Sequence, residues 1–170
     1  MKPYTVVVVG LGKRGRHHAA AFRANPRFEL AGIATRDADK LAKAAAELGG
    51  PRTSTDAEAL AKDVRPDVFC FCTPPQVRLP LIRLGIASGA RLIAYEKPIA
   101  LSTNEGLEIR EAVRAAGVKT VVSHQHRYGQ HYRKVHEIVS SGNMGRDRHS
   151  AAFLSQFGTC GSRSASLPHG

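Results

Sequence analysis

Residues Tyr4 to Val9 run β-branched and apolar straight into Gly10-Leu11-Gly12-Lys13-Arg14-Gly15. A run of that kind reads as a parallel strand buried on both faces. The string G-x-G-x-x-G carries little weight alone, but between a strand and a helix it has a mechanism. Gly10 permits the tight turn, Gly12 lets the backbone approach a pyrophosphate, and Gly15 lets helix and strand pack closely. The helix that opens there offers unpaired N–H groups to an anion. Gly10, Gly12, Lys13, Arg14 and Gly15 are therefore candidate ligands of a dinucleotide. The alternative, a plain glycine turn, does not explain why strand, loop and helix all stand in the required order.

The rest of the chain repeats the alternation. A helix is expected from Lys13 to Ala24, stopped at Asn25-Pro26 because the residue before proline avoids helical geometry. Phe28 to Ala34 reads as a strand. Asp37 starts a helix through Leu41, Ala45 and Leu48 that ends at Gly49-Gly50. Asp56 caps a short helix reaching Lys62. Val68 to Cys72 is the next strand, Val77 to Ser88 a helix, and Arg91 to Ala94 a strand. Ser102 and Glu105 have capping-box spacing for a helix that reaches Ala116 and stops at Gly117. Lys119 to Ser123 is a further strand, and Tyr132 to Ser140 a helix. Strands alternating with helices imply an α/β fold, a Rossmann-type doubly wound parallel sheet with right-handed crossovers.

The adenosine end of the cofactor is read after the second strand. An acid about 20 residues beyond the glycines ordinarily accepts hydrogen bonds from the ribose. Here Thr35 stands in that place and Arg36 follows. A guanidinium there can grip a 2′-phosphate, which favours NADP, with NAD as the alternative.

Composition limits the other classes. The net charge of +11 raises the question of nucleic acid. Yet the basic residues, among them Lys13, Arg14, Arg16, Arg36, Arg78, Arg110, Arg127, Arg133, Lys134 and Arg146, are scattered, with no long run and no aromatic stacking motif. Most are expected on solvated helix faces, and no nucleic-acid partner is expected. No apolar run approaches the roughly 20 residues of a membrane span. The N-terminus lacks the features of a secretory signal, so a cytoplasmic location and no membrane partner are expected. Cys70 and Cys72 fall on one side of a strand and read as small thiols in a reducing compartment. His124, His126, His131 and His136 include no i, i+4 pair and no completing Cys or carboxylate, so no metal is expected.

Three more motifs follow strand ends: Cys72-Thr73-Pro74-Pro75, Glu96-Lys97-Pro98 and His126-Arg127-Tyr128. Together with the glycine loop and with His18 three residues beyond it, they resemble the glucose–fructose oxidoreductase and inositol dehydrogenase family, Gfo/Idh/MocA. The resemblance spans residues 4 to about 146 and includes Ser141-Gly142-Asn143-Met144-Gly145, similar to the family's bend into its second domain. It implies an oxidoreductase that moves hydride between nicotinamide and an alcohol or carbonyl of a sugar, cyclitol or related polyol. Thr35 and Arg36 would sit at the adenosine ribose, and Thr73 and Pro74 would line the cofactor. Glu96 and Lys97 would lie near the nicotinamide ribose, with Lys97 catalytic. Glu96 could orient Lys97 or bind the ribose. Pro98 would follow a cis peptide bond, and His126 and Arg127 are candidate substrate contacts.

Two departures stand out. The family commonly has histidine at the position of Arg78. It also has a second, α+β domain, of which this chain holds only the beginning. The expected organisation is residues 1–123 as the cofactor domain, 124–154 as a linking helix and the start of the substrate domain, and 155–170 as an irregular tail carrying Cys160. On that reading the chain is a truncated or frameshifted product with weak turnover, disordered in its tail and prone to homo-oligomers through an unfinished strand around His149 to Leu154. A catalytically inactive nucleotide-binding or cofactor-sensing protein is the alternative.

Overall fold

Alternating β1 (Tyr4–Val9), α1 (Lys13–Ala24), β2 (Phe28–Ala34), α2 (Ala38–Glu47), β3 (Arg52–Ser54), α3 (Ala57–Val64), β4 (Val68–Phe71), α4 (Arg78–Ala87), β5 (Leu92–Glu96), α5 (Thr103–Ala116), β6 (Lys119–Ser123) and α6 (Gln130–Ser140) make up the computed structural model, which describes residues 2–143. The expected strand around His149 to Leu154, the bend residues Met144 and Gly145, and the tail with Cys160 lie outside the described residues. Two compact units divide the chain, Met1–Ser123 and His124–Gly170.

All pairings in the sheet are parallel, in the order β3-β2-β1-β4-β5-β6. From β1 the chain builds outward through β2 to β3, then returns to lay β4 on the other flank of β1. This is the doubly wound Rossmann arrangement, and its switch point is the crevice between β1 and β4. The alternation of β1 shows why the sheet must be covered twice. Val6 and Val8 join Leu11, Ala19, Ile33, Leu41 and Leu48 in one core, on the α1 and α2 side. Val7 and Val9 join Leu60, Phe69, Phe71, Ile82, Ile93 and Ile109 in the other, against α3, α4 and α5. Successive side chains of a strand point to opposite faces, so a strand of consecutive valines needs apolar partners on both. Each fully buried valine contributes roughly 1.5–3 kcal/mol.

The caps behave as their residues dictate. The Asp37 carboxylate accepts from Lys40 N, and Asp56 accepts from the N–H groups of Glu58 and Ala59. The Ser102 hydroxyl accepts from Glu105 N at 3.2 Å, while Glu105 Oε2 accepts from Leu101 N at 2.8 Å. At the amino edge of the sheet, Thr5 N and Oγ1 donate to Asp67 Oδ2, and Thr5 Oγ1 accepts from Asp67 N. That knot fixes β1 beside the loop leading into β4.

The structure corrects several local expectations. β3 is an additional strand: its three residues Arg52, Thr53 and Ser54 are polar, mostly exposed, and too few to show a period. A 3-10 turn at Pro75–Val77 precedes α4, and another at Gln125–Tyr128 precedes α6, which starts two residues earlier than expected. β4 ends at Phe71 rather than Cys72, and β5 continues to Glu96 instead of ending at Ala94. Among the described residues, no helix is long and apolar enough to cross a membrane.

Candidate dinucleotide-binding site

Parallel pairing brings the motif residues to one edge. Val9, Phe71 and Tyr95 are register partners across β1, β4 and β5, so Gly10, Cys72 and Glu96 each stand one residue beyond that row. Ala34 pairs with Val9, which puts Thr35 at the same edge. Gly10 N donates to Ala34 O and Cys72 N to Val9 O, both at 2.8 Å.

The three glycines meet three different demands. Gly10 has φ +86°, a conformation that side chains disfavour. A Cβ on Gly15 would stand 1.7 Å from the Gly10 carbonyl oxygen, so no other residue fits where α1 crosses the turn. Among the described residues, a Cβ on Gly12 would meet nothing within 4 Å. The space in front of Gly12 is therefore open, and Gly12 caps α1 without any side-chain hydrogen bond. The first turn of α1 holds no acid and carries Lys13, Arg14 and Arg16, all exposed. Unpaired N–H groups at such a terminus, with cations around them, favour an anion there. A cleft of about 680 Å³ opens alongside, lined by Gly12, Lys13, Arg16, Lys40 and Lys43 among others.

Thr73 Oγ1 is buried without a hydrogen-bond partner among the described residues. A buried hydroxyl in that state costs free energy until a ligand supplies a partner. Together with the open approach at Gly12, it makes the residues present a fit for a dinucleotide. Thr35 is half-buried, and its N–H donates to Ser54 O at 3.3 Å. Arg36 is exposed, while Asp37 is engaged in capping α2. Pro74 is exposed beside Thr73.

Glu96 is the node of the site. Its carboxylate accepts from His18 Nε2 at 2.9 Å, and the pair is largely enclosed, with 28% and 12% of the two side chains exposed. Burial pushes the Glu96 carboxyl up, but hydrogen bonds from His18 and Ser123, with the charges of His18 and Arg14, outweigh it and hold the group below the usual carboxylate range. Lys97 and Pro98 follow, exposed, across a cis peptide bond. Behind them, a hydrogen bond with Cys72 and burial push the Cys70 thiol well up. Cys72 itself is half-buried.

Arg78 overturns its expected place on a solvated helix face. It is 1% exposed, the one charged side chain buried among the described residues. Its guanidinium donates to the Glu96 carbonyl and lies 5.3 Å from the Tyr95 ring centroid and 5.9 Å from that of Phe71. Those two rings are themselves stacked at 5.3 Å. Burial lowers its pKa, opposed by Tyr95, Glu105 and Glu96. Arg78 thus ties α4 to the turn that carries Glu96 and Lys97. Sequence reasoning missed this role, although the departure from histidine at position 78 was the available signal. Replacing Arg78 with alanine would leave a cavity and an unsatisfied carbonyl, a loss of about 2–4 kcal/mol. A urea midpoint unchanged from the parent would show that the side chain contributes nothing. By contrast Arg110 and Lys134 are exposed and make surface pairs with Glu111 and Glu137, worth little.

His126 and Arg127 lie exposed on the 3-10 turn of the second unit, where the His126 ring packs 5.1 Å from that of Tyr132. His124, His126, His131 and His136 belong to no three-residue metal-ligand group among the described residues.

Comparison with known proteins agrees with this geometry. Residues 4–124 match the family model described as oxidoreductase family, NAD-binding Rossmann fold, GFO_IDH_MocA. An uncharacterized oxidoreductase, YrbE of Bacillus subtilis (strain 168), is 27% identical over 138 residues, 81% of this chain and 40% of its own length. Inositol 2-dehydrogenase 4 of Saccharopolyspora erythraea is 27% identical over 143 residues, covering 83% and 42%. The crystal structure of GenD2 from gentamicin A biosynthesis in complex with NAD superposes with a TM-score of 0.75 at 29% identity, covering 84% of this chain and 40% of that one. The chain thus spans about two-fifths of the length of these relatives. With the family model covering most of its length and the glycine turn built as that fold requires, the chain belongs to the Gfo/Idh/MocA oxidoreductase family and carries its NAD-binding Rossmann domain.

Proposed function

We propose that this chain holds a nicotinamide dinucleotide for hydride transfer to or from an alcohol or carbonyl of a sugar, cyclitol or related polyol. The observation that carries the reading is the glycine turn: Gly15 locked against Gly10, and Gly12 left open at an uncapped helix terminus. The substrate class is supported by relatives such as the inositol dehydrogenase. We assign residues 1–123 to the cofactor and 124–154 to the link toward the substrate. The free thiols Cys70 and Cys72 suit a reducing compartment such as the cytoplasm.

In this reading the N–H groups at Gly12 and the first turn of α1 bind the pyrophosphate, with Lys13 and Arg14 adding positive charge. Thr73 and Pro74 line the cofactor, which supplies the partner that Thr73 Oγ1 lacks among the described residues. Glu96, held by His18 and Ser123, fixes the start of the turn and receives the nicotinamide ribose. The cofactor, when bound, supplies the hydride donor or acceptor. Lys97 stands beside the reacting oxygen. Its ammonium stabilises the negative charge developing there and relays the proton. His126 and Arg127 are assigned to the substrate.

Saturable binding of NADH to the purified 170-residue chain, followed by nicotinamide fluorescence, tests the reading. An absence of saturation would refute it. The finer assignment is a preference for NADP. Arg36 is exposed just beyond the carboxyl end of β2, with the neighbouring Asp37 engaged in capping α2. NADPH should bind about tenfold tighter than NADH, equivalent to ~1.4 kcal/mol. Arg36→Ala should bring the two affinities together. Equal affinities in the parent chain would show that Arg36 meets no phosphate.

A further inference from the structure

We propose that His18 Nε2, Cys72 Sγ and a Glu96 carboxylate oxygen form a binding site for a zinc-class divalent ion. These ligand atoms all lie within 4.8 Å of one another, and the three side chains are half-buried. Each comes from a different part of the fold: α1, the segment after β4, and the last residue of β5. The backbone holds them in place, through Cys72 N bonded to Val9 O and through the β4–β5 register.

Zinc sits about 2.0–2.3 Å from imidazole, thiolate and carboxylate donors. Tetrahedral coordination at those lengths places ligand atoms roughly 3.3–3.8 Å apart. The His18–Glu96 contact at 2.9 Å must open slightly, and any separation beyond about 3.8 Å, within the 4.8 Å limit, must close. Adjustments of an ångström or less are within the reach of side-chain torsions. Three protein ligands with partial exposure leave a fourth position for water, as in open zinc sites. A thiolate and an imidazole favour zinc or cobalt over magnesium or calcium. Ser123, already hydrogen-bonded to Glu96, would orient the carboxylate from behind. Arg14, whose charge also acts on Glu96, works against the ion and limits its affinity.

One consequence rests on the proposed cofactor site. Glu96 cannot serve the ion and the nicotinamide ribose together, so zinc should raise the apparent dissociation constant of NADH. The site itself is tested without cofactor. The full chain, freed of metal with a chelator and kept reduced, is titrated with cobalt chloride. A thiolate-to-cobalt charge-transfer band in the near ultraviolet and visible bands of a tetrahedral ion are expected, both displaced by zinc. Cys72→Ser should abolish the charge-transfer band and weaken binding at least tenfold. His18→Ala should weaken binding to a similar degree, and Cys160→Ser should change neither. Far-UV circular dichroism checks that each variant folds. No band in the parent chain, or a band that survives Cys72→Ser, or one that depends on Cys160, would overturn the site. NADH binding measured separately keeps that failure distinct from failure of the cofactor reading.

Discussion

Gly15→Ala should lose dinucleotide affinity by about a hundredfold and also destabilise the domain. The added methyl would stand 1.7 Å from the Gly10 carbonyl oxygen, and the obstacle is backbone, which cannot swing aside. Gly10 cannot retreat either. Its N–H is bonded to Ala34 O, and a Cβ built on it would already lie 2.7 Å from Cys72 O. The strain therefore falls on α1, which must lift off β1 and carry its N–H groups away from the pyrophosphate. Losing one or two N–H bonds to a charged pyrophosphate, about 1.5–3 kcal/mol each, accounts for a hundredfold effect. Overpacking of this kind costs about 1–3 kcal/mol, seen as a Tm lower by several degrees. Gly12→Ala is the contrast. Among the described residues nothing stands within 4 Å of its Cβ, so the variant should fold as the parent does while binding fails, because the methyl fills the approach to the pyrophosphate. NADH titration with thermal melts on both variants separates the two cases. If Gly12→Ala binds NADH as tightly as the parent, the dinucleotide lies elsewhere.

The second large effect belongs to Lys97. In any preparation that supports turnover, Lys97→Ala should lower kcat by about 10²–10⁴-fold, the usual contribution of a positioned proton-transfer group. The dissociation constant of the cofactor should change little, because the ammonium acts on charge that develops only in the transition state. Lys97 is exposed, one residue beyond Glu96, whose backbone carbonyl is held by Arg78 and whose carboxylate is held by His18. The turn is therefore anchored while the lysine head remains free to reach a ligand. A kcat within a factor of two of the parent would make Lys97 a surface residue with no role in the chemistry.

The element pattern was largely legible in the chain. Strong local signals sufficed for β1, α1, β2 and β6, whose ends agree with the expected ones. Asp37, Asp56 and Ser102 cap their helices because their side chains satisfy N–H groups within three residues, a purely local matter. The 3-10 turns and β3 escaped because one turn, or three polar residues, is shorter than the period that would reveal it.

By itself, then, the sequence determined the alternation, the apolar run of β1 that requires cover on both faces and the G-x-G-x-x-G string between strand and helix, since each is written in residues within a few positions of one another. Only the tertiary structure decided that Arg78 is buried under the Glu96 turn, that Thr73 Oγ1 is buried without a partner among the described residues, and that His18, Cys72 and Glu96 converge. Those facts depend on which strands lie side by side. The order β3-β2-β1-β4-β5-β6 places residues far apart in the chain on one edge, and no local period records that adjacency.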